Sequence, residues 1–284
     1  MPAQAPERLQ RLIVTRPAPE AATWVSVLQA AGWPAQALAL IEIGEPQSPA
    51  ALAALTHWRQ HWSTMDALMF VSAAAVRHFF AAESHTPEQP LATRFWAPGP
   101  GTARVLAQAL QRLGLDASRI DAPALDAAQF DSESLWPVVQ PGLRPGQQLL
   151  IVRGLSEGAA DPVPTDPQLP GHGRDWLIEQ CQAAGVQVQA CVAYQRRAPK
   201  LDAATLHQLH LGQAPGSVWL FSSSEALEHL QACAPGADWS HASALATHPR
   251  IQQRARESGF GTVLPTRPAL ADVLRALESG WNPP

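Results

Sequence analysis

Short apolar runs alternate with amphipathic segments along the chain, the pattern of α/β architecture with buried parallel strands. Leu12-Ile13-Val14-Thr15 has no polar alternation and predicts a strand buried on both faces. Residues 19–31 predict a helix with Trp24, Val25 and Leu28 on one face and Gly32 as its stop. Residues 38–43 predict the next strand. The same opening returns later: a strand at 149–152, a helix at 175–184 stopped by Gly185, and a strand at 186–194.

The two openings align. Ala30-Ala31-Gly32 matches Ala183-Ala184-Gly185, Trp24 matches Trp176, and Phe70-Val71-Ser72-Ala73 matches Phe221-Ser222-Ser223-Ser224, all at offsets of 151 to 153 residues. Three matches at nearly one spacing point to an internal duplication. Residues 46–49, 85–90 and 158–173 are rich in Pro, Gly, Ser and Asp and predict loops, the last an insertion or lid. The tail from Trp281 predicts a frayed end.

Composition narrows the class. The chain of 284 residues is 46% hydrophobic and 15% charged, with a formal net charge of −4, so it has core enough for two domains and lacks the basic stripe of a nucleic-acid binder. Lys200 is the only lysine; recognition of anions would rest on arginine, backbone N–H groups and hydroxyls. Three cysteines without a CxxC predict free thiols in a reducing, cytoplasmic setting. The first residues hold no apolar run of a signal peptide, and the longest apolar stretch, 67–76, is too short to cross a bilayer. No membrane partner is expected.

The candidate chemistry lies in turns. Met69-Phe70-Val71 runs into Ser72 and a helix, and Val218-Trp219-Leu220-Phe221 runs into Ser222-Ser223-Ser224 and a helix. A serine opening a helix is either an ordinary N-cap or part of an anion site built from free N–H groups and the helix dipole. A third turn, Gly99-Pro100-Gly101-Thr102-Ala103-Arg104, resembles a dinucleotide fingerprint only in part, because Arg104 holds the third glycine position. No cofactor is expected. His57/His61 and His207/His210 have helical spacing but no cysteine or carboxylate cluster, so no metal is expected either. Tyr194, the only tyrosine, ends a predicted strand before Arg196-Arg197.

In order and spacing these motifs resemble the uroporphyrinogen-III synthase family. The resemblance runs through Val14-Thr15-Arg16-Pro17, Leu40-Ile41-Glu42-Ile43, Phe70-Val71-Ser72-Ala73, Gly99-Pro100-Gly101-Thr102, Asp131-Ser132-Glu133, Val152-Arg153-Gly154, Tyr194-Gln195-Arg196 and Phe221-Ser222-Ser223-Ser224. It implies two similar α/β lobes, each a parallel sheet flanked by helices, joined by a two-stranded β linker. Residues 1–40 with 199–284 would form lobe 1, 45–193 lobe 2, and 41–44 with 194–198 the linker. Periodicity alone suggests two consecutive lobes instead.

The resemblance further implies a lyase that converts hydroxymethylbilane, a linear tetrapyrrole with eight carboxylates, to uroporphyrinogen III. Water is lost, the macrocycle closes, and the last ring inverts through a spirocyclic intermediate. Tyr194 is then the candidate general acid. Arg16, Ser72, Gly101, Thr102, Ser223, Ser224 and His248 are the candidate substrate contacts in a cleft. His248 lies in Thr247-His248-Pro249-Arg250, which stands where the family has a second glycine-threonine turn; it would bind a carboxylate or cap a helix. A cytoplasmic monomer is expected, with a transient contact to the enzyme that makes the bilane. The competing readings are a non-enzymatic two-lobed binding or sensor protein and a nucleotide-dependent enzyme, the latter disfavoured by Arg104.

Overall fold

The computed structural model describes residues 8–81, 92–125, 127, 130–156 and 175–281. The expected loops at 85–90 and 158–173, and the tail beyond Trp281, lie outside the described residues. The chain forms two compact units. Residues up to Ile43 and from Arg197 onward make unit 1, and Gly44–Arg196 make unit 2.

The elements alternate as the apolar runs predict. The first are β1 (Arg11–Val14), α1 (Ala18–Ala30), β2 (Ala35–Ala37), β3 (Glu42–Gly44), α2 (Pro49–His61), β4 (Ala67–Phe70) and α3 (Ala73–Phe79). Next come β5 (Arg94–Trp96), α4 (Pro100–Arg112), β6 (Ile120–Asp121), α5 (Ser132–Val139), β7 (Gln148–Ser156), α6 (Asp175–Ala183) and β8 (Gln187–Arg197). The chain closes with α7 (Ala203–Leu211), β9 (Ser217–Phe221), α8 (Ser224–Cys233), β10 (Ser243–Ala246), α9 (Pro249–Glu257), β11 (Thr262–Pro265) and α10 (Leu270–Gly280).

Unit 1 holds a parallel sheet in the order β11-β10-β9-β1-β2. The second sheet runs β3-β8-β7-β4-β5-β6, with β4 to β8 parallel throughout. β3 and β8 are neighbours, and the division between the units falls within both strands. Setting β9, β10, β11, β1, β2 against β4, β5, β6, β7, β8 gives one and the same arrangement. Each sheet is therefore assembled from the second half of one repeat and the first half of the other.

Burial explains the unalternating strands. In unit 1, Ile13, Trp219, Phe221, Ala244 and Ala246 enter the core on one face of the sheet. Leu12, Val14, Val218, Leu220 and Leu245 enter the core on the other. Both faces are covered, so successive residues are apolar. The repeat also shows in its stops: Gly32 and Gly185 sit at φ +85 and +81, where a side chain is strained. Their helices end alike, with Gly32 N–H on Gln29 O and Trp33 N–H on Leu28 O, and Gly185 N–H on Gln182 O and Val186 N–H on Cys181 O.

One expected strand is absent as such. Residues 38–41 link β2 to β3 and only Glu42 and Ile43 are in a strand, because Leu38, Leu40 and Ile41 are drawn into the unit 1 core while the backbone leaves the sheet. Leu38 N–H still bonds Val14 O, but Leu40 O accepts from the ring of His229 instead of a strand.

Candidate functional site at the carboxyl edges of the two sheets

In a doubly wound parallel sheet, ligands meet the turns beyond the carboxyl ends of the strands, where the strand order reverses. In unit 2 that point lies between β4 and β7, and Ser72 follows β4 directly. Its hydroxyl caps α3 by accepting the Ala75 N–H at 3.1 Å and shares a 3.2 Å hydrogen bond with the phenol of Tyr194. Either hydroxyl can donate in that bond; with serine as donor, the accepted N–H polarises its hydroxyl and strengthens the bond to the phenol. Tyr194 is buried, at 5% exposure.

β8 brings the tyrosine there by an irregularity. Arg153 pairs with Val192 but Gly154 with Tyr194, so Ala193 is an extra residue in β8. Beside the phenol lies the ring of His78, 5.7 Å away and tilted by 32°. Burial is the main cause lowering the pKa of His78; Glu45 opposes it and Arg59 and Arg77 add to it. Arg59 in turn donates to the carbonyls of His78 (2.6 Å) and Phe79 (3.1 Å) at the end of α3 and to Glu45 (3.1 Å). A guanidinium on the last carbonyls opposes the negative end of the helix and fixes the segment that Ser72 begins.

The glycine turn follows β5, on the other side of β4. Gly99 stands at the N-cap of α4 and supplies no side-chain acceptor, so the N–H groups of Gly101 and Thr102 open a 13-residue helix uncapped. A Cβ at Gly101 would meet nothing within 4 Å, whereas one at Gly99 would press on Phe130 at 3.0 Å. Arg104 falls within the first turns of α4.

Arg16, Ser223, Ser224 and His248 gather in unit 1, at the carboxyl ends of the adjacent strands β1, β9 and β10. Ser223 caps α8 through the Glu225 N–H at 3.2 Å. Ser224 Oγ is buried and has no hydrogen-bond partner among the described residues, an arrangement that native proteins rarely leave unfilled. His248 acts as a cap: its Nδ1 accepts the Arg250 N–H at 3.2 Å at the start of α9. Arg16 lies over Trp24, 4.0 Å from the ring centroid, and pairs with Glu20 at 3.3 Å. Burial lowers its pKa, with Glu20 acting against that.

A cavity of about 380 Å³ opens at the opposite, amino edge of the unit 2 sheet, lined by Asp66, Arg94, Trp96, Asp121, Gln148 and Val186 among others. Its charged groups are already matched, Arg94 with Asp121 and Asp66 with the Gln148 N–H. It is remote from Ser72 and Tyr194 along β4 and β8 and is not the site described above. Among the described residues no group of three or more His, Cys, Asp or Glu is placed to hold a metal, and no helix is long and apolar enough to cross a membrane.

A sequence model of the family described as Uroporphyrinogen-III synthase HemD matches residues 22–160 and 168–275. The chain belongs to the uroporphyrinogen-III synthase family. Among solved structures it is similar to the uroporphyrinogen-III synthetase of Helicobacter pylori, with 14% identity over 96% of this chain and 99% of that one and a TM-score of 0.55. A mutant uroporphyrinogen III synthase of Thermus thermophilus matches at 15% identity over 95% and 98% of the two chains, with a TM-score of 0.47. The first of these likenesses carries the two-lobed α/β fold. The protein is an enzyme, a lyase of porphyrin biosynthesis, and its reaction is the synthase family's formation of uroporphyrinogen III. The non-enzymatic reading falls with that.

Two features near Tyr194 escape a reading of this synthase family's motifs from sequence. Gly154 lies under the tyrosine ring, so that a Cβ there would come within 2.7 Å of Cε1 and closer still to Cζ and Cε2. A glycine inside a strand run is a signal of close approach, but nothing local says what approaches. His78 and Arg59 carry no local signal of a role; their contacts come from elements far apart in the chain.

Proposed function

We propose that the carboxyl edge of unit 2 carries the proton transfer of the synthase reaction, with Tyr194 as general acid. The pairing of Tyr194 with Ser72 beside the uncapped start of α4 is the observation that supports it. Hydroxymethylbilane sheds its terminal hydroxyl with the electron push of the adjoining pyrrole, and the phenol delivers the proton that makes the leaving group water. The phenolate recovers a proton when the last ring, having attacked through its substituted carbon and rearranged, regains aromaticity. Atoms then balance as loss of one water.

The substrate is a polyanion, and the donors suit it. Gly101 and Thr102 offer N–H groups and a hydroxyl at the positive end of α4, Ser223 and Ser224 serve likewise at α8, and Arg16 supplies fixed charge. His248, engaged as a cap, contributes through the helix start it organises. The greater part of the task is geometric: the bilane closes unaided without inversion, so the site must hold its ends where the substituted carbon is attacked. The enzyme works as a cytoplasmic monomer, in transient contact with the enzyme that supplies the unstable bilane; the free, buried thiols of Cys181, Cys191 and Cys233 favour a reducing compartment.

The test is to incubate the purified protein with freshly made hydroxymethylbilane, oxidise the products and separate the uroporphyrin isomers. Isomer III is expected with enzyme and isomer I without it. Tyr194→Phe is expected to lower kcat by about 10- to 100-fold, at the low end for a positioned acid because the pyrrole carries much of the expulsion. Unchanged kcat in that variant removes the acid role.

A further inference from the structure

Three strands bring the phenol and the serine together, and the middle one has no side chain at the crossing. Phe70 pairs with Val152, and Val71 N–H bonds Val152 O, so Ser72 continues level with Gly154. On the other side, Gly154 pairs with Tyr194. Tyr194, Gly154 and Ser72 thus form one row across β8, β7 and the end of β4. Adjacent strands lie about 4.8 Å apart, which puts the outer backbones roughly 10 Å apart. The 3.2 Å bond between the hydroxyls spans that gap only if the tyrosine ring lies across the middle strand, over the bare Cα of Gly154. The volume a methyl group would take at 154 is the volume of Cζ, Cε1 and Cε2 of the ring.

The extra residue Ala193 completes the device. In a regular strand Tyr194, two residues on, would share a face with Val192, because side chains alternate along a strand; the bulge at Ala193 keeps Tyr194 paired with Gly154 and sends it to the opposite face.

We propose that Gly154 is a positioning residue of the synthase reaction, its missing side chain giving the phenol of Tyr194 its path across β7 to Ser72. This rests on the reading of Tyr194 as the acid. Any larger residue at 154 lifts the ring off the sheet and parts the two hydroxyls, which lowers the rate of the chemical step while leaving the carboxylate contacts of α4 intact.

Tyr194 is the only tyrosine in the chain, so ring-labelled tyrosine gives a single NMR signal in the full-length enzyme. In Gly154→Ala that signal is expected to move, and kcat to fall about tenfold or more with KM within about twofold. In a Tyr194→Ala background the same substitution is expected to cause no further loss of activity and to recover the thermal midpoint lost by Gly154→Ala alone, since the methyl then occupies the space of the ring. If Gly154→Ala alone does not fold, a folded double variant supports the proposal and an unfolded one overturns it. An unmoved tyrosine signal, or equal losses in both backgrounds, also overturns it. Full activity of Tyr194→Phe would end the acid reading instead, and the signal and the stability comparison would still score the placing of the ring by Gly154.

Discussion

Ser72 has two partners, and two substitutions separate them. Ser72→Ala removes the cap on α3 and the partner of the phenol together. Loss of an N-cap costs about 1 kcal/mol, and a buried phenol left without its partner about another 1 kcal/mol. The sum, about 2 kcal/mol, acts on unit 2; for a domain of about 150 residues it corresponds to a fall in Tm of roughly 4–8 °C. Ser72→Asp restores the cap, since aspartate accepts the Ala75 N–H as well as serine does. Its carboxylate, however, only accepts, and it holds the phenolic proton toward itself and away from the leaving hydroxyl. The expected pattern is therefore crossed. Ser72→Ala loses stability and some rate, whereas Ser72→Asp keeps most of the stability and loses more rate, read as kcat for isomer III. Thermal melts and initial rates on the same preparations measure both. A Ser72→Asp enzyme with wild-type kcat refutes the view that the proton on this phenol is the one transferred, and an unchanged Tm in Ser72→Ala refutes the capping account.

Three further outcomes are expected. Gly101→Ala meets open space and has a better helix propensity, so the melting point should hold or rise; if the bilane approaches the backbone there, KM rises several-fold, and an unchanged KM removes Gly101 from the binding surface. Burial pushes the thiols of Cys181 and Cys191 up to about 12 and that of Cys233 upward as well, so a thiol reagent at pH 8 should leave the native protein unmodified and label all three after denaturation. His78 is held below its ordinary pKa, chiefly by burial; as pH falls below about 6.5 the unfolded chain takes up the proton first, so stability drops until the folded value is reached and then levels. Urea midpoints at pH 7 and below pH 6 should differ by less in His78→Gln, and an identical pH slope would discount the histidine.

Much of this was legible in the chain because each feature is local. Ile13 and Trp219 lie in strands without polar alternation, which signals two covered faces, and Gly32 and Gly185 mark helix stops by a backbone conformation other residues resist. What pairs with what is not local. Nothing in the run 12–15 says that β1 will sit between β2 and a strand some 200 residues later; resemblance supplied only the expectation that residues 1–40 share a lobe with 199–284. Residues 38–43 misled because burial, not hydrogen bonding, keeps Leu40 and Ile41 apolar. At His248 the residue type allowed a ligand or a cap, and the Arg250 N–H at 3.2 Å shows the cap through Nδ1 without bearing on a ligand at the other ring nitrogen. Gly154 stands in a motif shared with the family, but the ring it makes room for belongs to a residue forty positions away.

The assembly of each sheet from halves of both repeats sets the order in which the protein can form on the ribosome. Unit 2 is one uninterrupted length of chain and can close as soon as Arg196 has emerged. β1 is made first but must wait for β9, its neighbour in the finished sheet. Until then Leu12, Ile13 and Val14, all fully buried at the end, have only α1 and β2 beside them and lack the cover of β9 and the elements that follow it, a sticky segment of the kind that holding chaperones bind. The middle of this protein is thus finished before its beginning, and early release or pausing after unit 2 would leave a complete lobe preceded by a β1–β2 pair that lacks its β9 neighbour.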